Sequence, residues 1–574
     1  MNIRKKGIIA CCTGALLVGL MSGCATTETE EAANASVETP DSKIELAAAY
    51  STKLVEDRSV YADDQPGTVV DFYITVSDTN LTAEHPITWK QLNSINSKAE
   101  NTEDKTMEVI LQEGDDNGAK SGSFGYGATH PNAEISLRGN SSIRADQKAY
   151  KLKLYDQAGL WRGQTTVNLI KHAYDFTRMR NKLSFDLFRQ VPDFTSLRTQ
   201  FVHLHVKDLT SSIAGYQDYG LYTQIEQPNK KFLKSHGLDP NGHLYKATNF
   251  EFLRYPDALK AKDDPEYNDA KFQSIMEVKG NEDNTKLLAM LDDVNNLSLD
   301  INDVFDRYFD RDNFLTWMSI NILTDDIDTN TQNFYLYSPL NSEKWFFLPW
   351  DYDGAWGYNE FEGIDDGGRA KWQRGIANYW GSKLQNRFFK DPANVQQLLA
   401  KMEEVKTYFS PEKTTALIDL YKPIVNQYVR RVPDLTTLHY PYAKWNNEVD
   451  RMKQLPVVNE QNFLKALENP MPFFLGEPEL KDGKWEFRWD ASYDLQGDDL
   501  TYTFMLAKEP SFARPIVKKE NYQWNSISVD KLAKGHYFLK VLSKDSKGND
   551  VTAFDMYQDV DGEEFFGVKD FYVD

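Results

Sequence analysis

Apolar and polar positions alternate along the chain after about residue 65. The segment TVVDFYITV, residues 68–76, has the period of a strand, and residues 133–156 read as strand, turn and strand. The second strand of this pair separates apolar residues from lysines on its two faces: Tyr150, Leu152 and Leu154 on one, Lys151 and Lys153 on the other. Such alternation predicts a sheet that is buried on one face only.

A helical pattern replaces this alternation between residues 265 and 312. The strongly apolar run NFLTWMSINILTDD then predicts a buried helix, followed by two strands, NFYLYS and KWFFLPWD, joined by PLNSE. Residues 380–465 again favour helices. Strands first, helices later and a hairpin between them predict an α+β domain of two lobes over residues 65–465.

The pattern changes once more after ENPMPFF. Residues 472–574 contain short alternating strands separated by turns, which predicts an all-β sandwich. Through W…D…GDDLTY and GHYFLKVLSKDSKGN, this region resembles a fibronectin type III module.

The first 24 residues have the layout of an export signal. A basic start, MNIRKK, precedes the apolar run GIIACCTGALLVGL, which is too short to span a membrane. MSGC resembles a bacterial lipobox, which implies a signal peptide at 1–23 and lipidation of Cys24; the alternative is an ordinary signal with an incidental cysteine. Residues 24–64 then predict a flexible acidic tether. We therefore expect a lipid-anchored, extracytoplasmic protein at a bacterial membrane or cell surface.

Charge and cysteine content limit the partners. The formal net charge is −21, so the surface repels nucleic acid and we expect no nucleic-acid partner. Cys11 and Cys12 lie in the apolar run of the signal. The mature chain is therefore predicted to contain neither a disulfide nor a thiol metal site.

Acidic and amide side chains lie among aromatic residues between positions 323 and 357. Asp328 and Asn333 fall between the apolar helix and a strand, and Asp351 follows the next strand. Phosphoryl transfer needs one carboxylate to accept the proton of the attacking hydroxyl, with an amide oxygen and a second carboxylate to hold Mg²⁺. The spacing therefore predicts a phosphoryl-transfer site in a cleft with aromatic walls.

Five motifs in order resemble the CotH kinase family, the spore coat protein H group of atypical protein kinases: LRGNSS…KAYKLKL, GLYTQIEQP, LYKA, DTNTQNFYLY and FFLPWDYDGAWG. The resemblance covers about residues 69–430. It implies a kinase-like fold that phosphorylates Ser or Thr of a protein substrate, with ATP and Mg²⁺ or Mn²⁺ as cofactors.

The resemblance also implies roles for single residues around the metal. Asp328 matches the catalytic aspartate, Asn333 the metal-side asparagine and Asp351 the magnesium aspartate. Asp353 is either a second metal ligand or a turn residue before Gly354.

For the nucleotide, the resemblance implies that Trp345 stacks on adenine, and Tyr150 is a candidate for the other side of the base. Lys151 is favoured as the phosphate-binding lysine, and Lys153 is the alternative. Two further residues match family positions near the cleft with roles left open: Glu226 and Lys246.

The sequence departs from conventional kinases in its loops. It has no GxGxxG loop, so RGNSS, with Arg138, is expected to cover the phosphates. No His-Arg pair precedes Asp328, and Asp325 and Asp326 are each competitors for its role as base.

Structural roles are the alternatives for most of these residues. Trp345 is a candidate for the core, Lys151 and Lys153 for the solvated face of an edge strand, and Arg138 for an ion pair. A calcium loop is disfavoured, because Trp356 occupies the position that needs glycine. A metal site of another kind is also disfavoured at VHLHV, although two histidines share a strand face there at a spacing sometimes used for metal: His203 and His205. It lacks a third ligand nearby in the sequence.

Two other classes of function remain open. The protein could be a catalytically silent kinase-like lipoprotein that binds a polysaccharide or a partner protein. A pure binder, however, has no physical need for the set of Asp328, Asn333 and Asp351. A glycoside hydrolase with paired carboxylates is a third hypothesis, and no acid/base framework for it is recognisable.

Overall fold

The computed structural model of the protein describes residues 52–102, 105–358, 369–438 and 440–573. The predicted signal peptide, Cys24 and the start of the predicted tether lie outside these ranges. The described residues form two compact units, one within residues 52–472 together with 493–498 and one of residues 473–492 together with 499–573.

The strand lobe, residues 52–228, is built on an eight-stranded sheet ordered β1-β7-β8-β6-β5-β4-β2-β3. β1 also pairs with β2, so seven of the strands close into a ring, and only β1 and β7 are parallel. The strands are β1 (Val69–Val76), β2 (Thr106–Asp115), β3 (Gly118–Ala119), β4 (Ala133–Arg138), β5 (Ala149–Leu154), β6 (Thr166–Ile170), β7 (Thr199–Asp208) and β8 (Gln217–Ile225).

Alternation along these strands produces the core of the strand lobe. Apolar residues of every strand in the ring form one hydrophobic cluster, in which Phe72 packs edge-on against Trp161. A short helix, α1 (Trp89–Ser94), adds Trp89, whose ring stacks on Tyr150 at 5.2 Å. The predicted strand at 68–76 and the strand pair at 133–156 are thereby confirmed as β1, β4 and β5.

Helix α2 (Arg180–Phe188) also belongs to this lobe, and all nine of its residues are buried. Asp175 accepts hydrogen bonds from free backbone N–H groups at the start of this helix. Its Oδ2 accepts the N–H groups of Met179 and Arg180 at 3.1 and 3.0 Å. Arg180 is ion-paired with Asp175 and with Glu448 of the other lobe. Paired charges of this kind make full burial of a polar helix possible.

The helical lobe, residues 229–472, contains a second, four-stranded antiparallel sheet ordered β10-β9-β11-β12. Its strands are β9 (His243–Ala247), β10 (Met276–Val278), β11 (Phe334–Ser338) and β12 (Phe346–Pro349). The predicted hairpin is confirmed as β11–β12. The helical pattern near residue 276 concealed β10, which is three residues long.

Eleven helices of the described part of the helical lobe accompany this sheet. They are α3 (Lys230–Ser235), α4 (Asp269–Ile275), α5 (Thr285–Asn295), α6 (Ile301–Tyr308), α7 (Arg311–Thr324), α8 (Gly375–Asn378), α9 (Lys383–Phe389), α10 (Pro392–Val405), α11 (Pro411–Val429), α12 (Tyr442–Met452) and, after Gln454, α13 (Leu455–Ala466), of which α8 is a single turn.

Helix α7 is the centre of this lobe. It packs on β12, α10 and α13, and every residue from Asn313 to Thr324 is buried. Trp317 stacks on Phe347 of β12 at 4.6 Å and meets Phe334 of β11 edge-on. Apolar residues around the whole helix explain why this segment lacks a polar stripe in the sequence. The packing fixes the hairpin relative to the end of α7.

The C-terminal unit is an all-β sandwich. One sheet has the order β13-β14-β17, and the other has the order β16-β15-β18-β19 with β22 beside β18. Phe487 of the first sheet packs on Phe504 and Phe571 of the second. The strands are β13 (Glu479–Lys481), β14 (Lys484–Arg488), β15 (Thr501–Ala507), β16 (Val517–Tyr522), β17 (Ser526–Asp530), β18 (Gly535–Lys544), β19 (Asp550–Thr552), β20 (Met556–Gln558), β21 (Glu564–Phe566) and β22 (Val568–Val573).

The predicted α+β domain followed by a β-sandwich is confirmed. The likeness of the sandwich to fibronectin type III stays a prediction. Among the described residues, no helix combines the length and the apolar character needed to cross a membrane.

Candidate active site

The open end of the β11–β12 hairpin brings Asn333 and Asp351 together. Phe334 pairs with Pro349 in the antiparallel register. Asn333, directly before β11, and Asp351, two residues after Pro349, therefore leave the hairpin at the same end. Both have left-handed backbone, with φ of 59° and 61°, a conformation that Asn and Asp adopt more readily than most residues.

Asp328 lies beside this hairpin end in a turn that follows α7. The helix ends at Asp325, which reverses the chain with φ of 52°. Asp326 then caps the turn Ile327–Thr329, because its Oδ1 accepts the Asp328 N–H at 3.1 Å. A Cβ added to Gly354 would lie 3.6 Å from Asp328 Oδ2. The Asp328 carboxylate therefore lies against the turn that follows β12.

Four carboxylates interact electrostatically here. Asp328 is accessible to solvent, yet desolvation by the surrounding protein raises its pKa, and the charge of Asp351 raises it further. Burial and the charge of Asp351 also raise the pKa of Asp353. Burial raises the pKa of Asp326 well above its usual range, and Asp328 adds to this effect. A cation bound among these groups would relieve the repulsion between them.

These residues fit a magnesium-type ion. Within the described residues, the aspartates do not form a cluster of three ligand atoms within 4.8 Å of one another. Mg²⁺ takes one or two carboxylates from protein and completes its octahedron with water and phosphate oxygens. Asp351 and Asn333 have the oxygen chemistry for this role. The buried Oδ2 of Asp326 lacks a hydrogen-bond partner among the described residues, so no donor from them stabilises a negative charge on this oxygen.

Asn181 orients Asp351, and no sequence signal pointed to it. Its Nδ2 donates to Asp351 Oδ1 at 3.5 Å, and its Oδ1 accepts the Tyr352 N–H at 3.2 Å. Asn181 belongs to the buried helix α2 of the strand lobe. The position of Asp351 is thus fixed by both lobes.

A basic wall faces Asp351. Arg138, at the end of β4, and Lys246, in β9, both lie against the indole of Trp350, at 5.5 and 5.8 Å from the ring centroid. The charges of Asp351 and Asp353 act on Arg138, and the Nη1 atom of Arg138 is buried without a hydrogen-bond partner among the described residues. Free donors next to a metal-type acidic site have the chemistry to hold phosphate oxygens.

Glu277 and Lys279 extend this wall, and neither was singled out from the sequence. Glu277 pairs with Lys246 across β9 and β10, and its carboxylate lies 3.9 Å from Lys246 Nζ and 2.6 Å from Lys279 Nζ. Burial lowers the pKa of Lys246, while Glu277 and Asp351 oppose that shift. The predicted placement of Arg138 and Lys246 near the cleft agrees with this geometry, and their contact with a nucleotide stays a prediction.

The structure distinguishes Lys151 from Lys153. Desolvation lowers the pKa of Lys151, and the cations of Lys279 and Arg138 lower it further. Lys151 therefore lies near the basic wall. Lys153 lies two residues further along the same face of β5, opposite Glu134 of β4.

Two predicted base-stacking residues lie elsewhere. Tyr150 points into the core of the strand lobe, away from Lys151, and its hydroxyl approaches Asn93. Trp345 lies at the turn end of the hairpin, fully buried, where its ring packs on His243 and Tyr245. Side chains of β9 alternate between the two faces of the sheet, so Trp345 and the two rings it contacts lie on the face opposite Lys246. Both rings are buried on these faces, and their contact with adenine stays a prediction.

Glu226 lies in a buried ion-pair network instead of the acidic cluster. Its Oε2 is 2.9 Å from His236 Nε2 and accepts the Arg198 N–H at 3.1 Å. His236 also meets Glu56 at 2.7 Å, and the two carboxylates raise the pKa of His236 to about 9 against the opposing effect of burial. Glu226 thus stabilises the junction of the lobes, and among the described residues it has no hydrogen bond or ion pair with the cleft residues.

The two competing aspartates are both engaged. Arg369 donates two hydrogen bonds to the carboxylate of Asp325, at 2.6 and 2.8 Å. Asp326 is buried and caps the Asp328 turn. Asp328 alone among the three combines solvent access with a position against the turn after β12, so the geometry favours it as the base.

Replacing Asp326 by asparagine should stabilise the metal-free protein at neutral pH. The asparagine amide oxygen still accepts the Asp328 N–H, and the substitution removes a buried negative charge. Removal of that charge should raise the free energy of unfolding by about 1–3 kcal/mol. The pKa of Asp326 is higher in the folded state than in the unfolded state, so the protonated carboxyl group favours folding. This stabilisation is complete below the unfolded-state pKa of about 3.9 and is lost as pH rises through the folded-state pKa. Thermal unfolding in chelator should thus show a gain for Asp326→Asn at pH 7.5 that shrinks towards pH 4.

The control for this measurement is Asp257→Asn, which changes an exposed aspartate of the same lobe. It should leave stability unchanged at both pH values. An Asp326→Asn protein no more stable than the wild type at pH 7.5 contradicts the assigned charge repulsion.

A strand lobe and a helical lobe that meet at a basic wall beside an acidic hairpin end are typical of a kinase-like domain. The family model described as CotH kinase protein matches residues 135–456, more than half of the sequence. The chain belongs to the CotH kinase family. Inner spore coat protein H of Bacillus subtilis (strain 168) is 23% identical over 228 residues, which are 39% of this chain and 59% of that protein. The chain therefore spans about three fifths of the length of that relative.

Proposed function

We propose that the protein transfers the γ-phosphoryl group of ATP to a Ser or Thr hydroxyl of a protein substrate. The observation that carries this proposal is the placement of the Asp328 carboxylate against the turn that follows Asp351, while Asp351 itself faces the basic wall of Arg138 and Lys246. One carboxylate is thus available as base and another as metal ligand.

The roles follow from the chemistry of each group. Asp328 accepts the proton of the substrate hydroxyl as its oxygen bonds to the γ-phosphorus and the bond from that phosphorus to the bridging β–γ oxygen breaks. Asn333 and Asp351 would hold Mg²⁺ or Mn²⁺, which neutralises charge on the phosphates when bound. Asp353 is retained as a second candidate ligand, and its raised pKa is consistent with a group that ionises when a cation binds.

The basic wall would bind the phosphates. Arg138 contributes a planar guanidinium with a free donor, and Lys246 and Lys151 contribute compact charges. The residues that enclose adenine are not assigned, because the two rings predicted for that role are buried elsewhere.

The direct test is phosphotransfer from γ-labelled ATP by protein that begins after Cys24, with Mg²⁺ or Mn²⁺, alone and with a Ser-rich acceptor protein. Label on the protein or the acceptor supports the proposal. Absence of label, together with no thermal shift by ATP and metal, contradicts it and favours a silent, binding role for the kinase-like domain.

The lysine assignment has its own matched pair of variants. Lys151→Ala should raise the KM for ATP about 10-fold, as expected for one charge-assisted hydrogen bond, whereas Lys153→Ala on the same strand face should change it less than about twofold. Initial rates at varied ATP concentrations measure both. Equal effects of the two substitutions, or a larger effect of Lys153→Ala, contradict the assignment.

We further propose that a lipid at Cys24 attaches the protein to the outer side of a bacterial membrane, where its substrate would be another surface protein. The lipobox-like sequence MSGC supports this proposal. Metabolic labelling with a fatty acid should mark the wild type but not a Cys24→Ser variant, and label on both would contradict it.

A further inference from the structure

Asp71, His203 and His205 form a cluster on the outer face of the ring of strands. β1 and β7 run parallel, with Asp71 opposite His203 and Tyr73 opposite His205. Alternate residues of a strand share a face, so all three side chains lie on the face opposite the hydrophobic core of the lobe. The third ligand that the sequence around VHLHV lacks is therefore supplied by a strand more than 130 residues earlier.

The polar atoms of this cluster converge on one point. His203 Nδ1 and His205 Nε2 lie 3.0 and 2.8 Å from the same oxygen, Asp71 Oδ1. Ligand atoms of all three residues lie within 4.8 Å of one another. A tetrahedral ion with metal–ligand distances of about 2.0–2.2 Å holds its ligands about 3.3 Å apart, so only small side-chain movements separate this arrangement from a coordination shell.

His203 provides an independent observation. Its Nδ1 is buried and has no hydrogen-bond partner among the described residues, although Asp71 Oδ1 is 3.0 Å away. The contact therefore lacks hydrogen-bond geometry, although the two groups are close enough to form an ion pair when the ring is protonated. In the neutral ring with its proton on Nε2, the Nδ1 lone pair is directed into the cluster.

Neighbouring side chains hold the two imidazoles in place. His203 Nε2 lies 2.9 Å from Asp218 Oδ1, an arrangement that fixes the proton on Nε2 and directs Nδ1 to the cluster. Tyr428 of α11 contacts the His203 ring edge-on at 5.0 Å. Tyr73 stacks on His205 at 4.5 Å. Orientation of a ligating histidine by a carboxylate on its other nitrogen is a regular feature of metal sites.

We propose that Asp71, His203 and His205 bind a divalent transition metal ion, with Zn²⁺ as the favoured ion and water as the fourth ligand. Two imidazoles and one carboxylate suit Zn²⁺ in preference to Mg²⁺, which selects oxygen ligands. The site is separate from Asp328 and Asp351 and does not depend on phosphotransfer activity.

The test uses the complete mature chain, freed of metal by chelation and dialysis. Titration calorimetry with Zn²⁺ should show one tight site that His205→Ala and Asp71→Asn abolish. Asp218→Asn should weaken it by about 10–100-fold, as expected for loss of a carboxylate behind a ligand. His85→Ala, at an exposed histidine of the same lobe, and Asp351→Ala should leave the site intact.

A second probe keeps the proposal testable if a variant misfolds. Co²⁺ bound to the wild type should give the visible absorption of a low-coordinate histidine site, and added Zn²⁺ should remove it. Absence of a tight Zn²⁺ site in the wild type, or an undiminished site in folded His205→Ala, overturns the proposal. The cluster would then be a structural ion pair of His203 between Asp71 and Asp218.

Discussion

Asp351→Ala is expected to abolish metal-dependent binding of ATP and, with it, phosphotransfer. The carboxylate leaves the hairpin beside Asn333, is oriented by Asn181 and faces Arg138, so the substitution removes the charged group proposed as metal ligand at the junction of both lobes. Loss of a metal bridge to the phosphates is worth several kcal/mol, which corresponds to at least about 100-fold in affinity. Titration calorimetry with ATP in Mg²⁺ measures this effect.

Two comparisons make the result specific to the metal. Asp257→Ala, an exposed aspartate of the same lobe, should bind ATP and Mg²⁺ as the wild type does. Binding of ATP in chelator should be weak in the wild type and should change little in Asp351→Ala, because the basic wall remains. Undiminished affinity of the variant in Mg²⁺ would falsify the assignment of Asp351.

Asp328→Asn is expected to separate binding from chemistry. The amide has nearly the shape of the carboxylate and fits against Gly354, but it cannot accept the hydroxyl proton. Loss of a general base typically lowers the rate by about 10²–10⁴-fold, whereas the affinity for ATP and Mg²⁺ should stay within a few-fold of the wild type. Single-turnover transfer of label from γ-labelled ATP, measured beside calorimetry, resolves the two effects.

The neighbouring aspartates supply the control. Asp325→Asn removes a carboxylate that Arg369 already occupies, so it should reduce stability more than rate. If Asp328→Asn transfers phosphate at the wild-type rate and Asp326→Asn does not, the base is Asp326. That outcome would require the buried carboxylate to become accessible when substrate binds.

The raised pKa of Asp328 has a consequence for the pH dependence of this reaction. A base must be ionised to accept a proton, and burial together with Asp351 delays that ionisation to higher pH than for an ordinary aspartate. A bound cation acts in the opposite direction. Rates at subsaturating metal should therefore begin to fall at higher pH than about 3.9 as the solution is acidified, and the fall should shift to lower pH as metal concentration rises.

Local patterns in the sequence determined the elements that carry the predicted site. The alternation in residues 68–76 and 133–156 identified strands, the apolar run after Asn313 identified a buried helix, and the aromatic segments identified the hairpin. These properties depend on period and polarity within about ten residues, which a single sequence displays directly. Asp328 and Asp351 could be located for the same reason, because each follows directly after such an element.

Tertiary structure alone decided which side chains meet. Asn181 reaches Asp351 across 170 residues of chain, and Glu277 joins the basic wall through a three-residue strand with no distinct pattern. Strand parity could not place Tyr150 or Trp345, whose faces depend on which sheet surface the core covers. Asp71 meets His203 because two distant strands pair in parallel register. Contacts of this kind depend on strand order and register, which the packing of the whole lobe selects and no local stretch of sequence encodes.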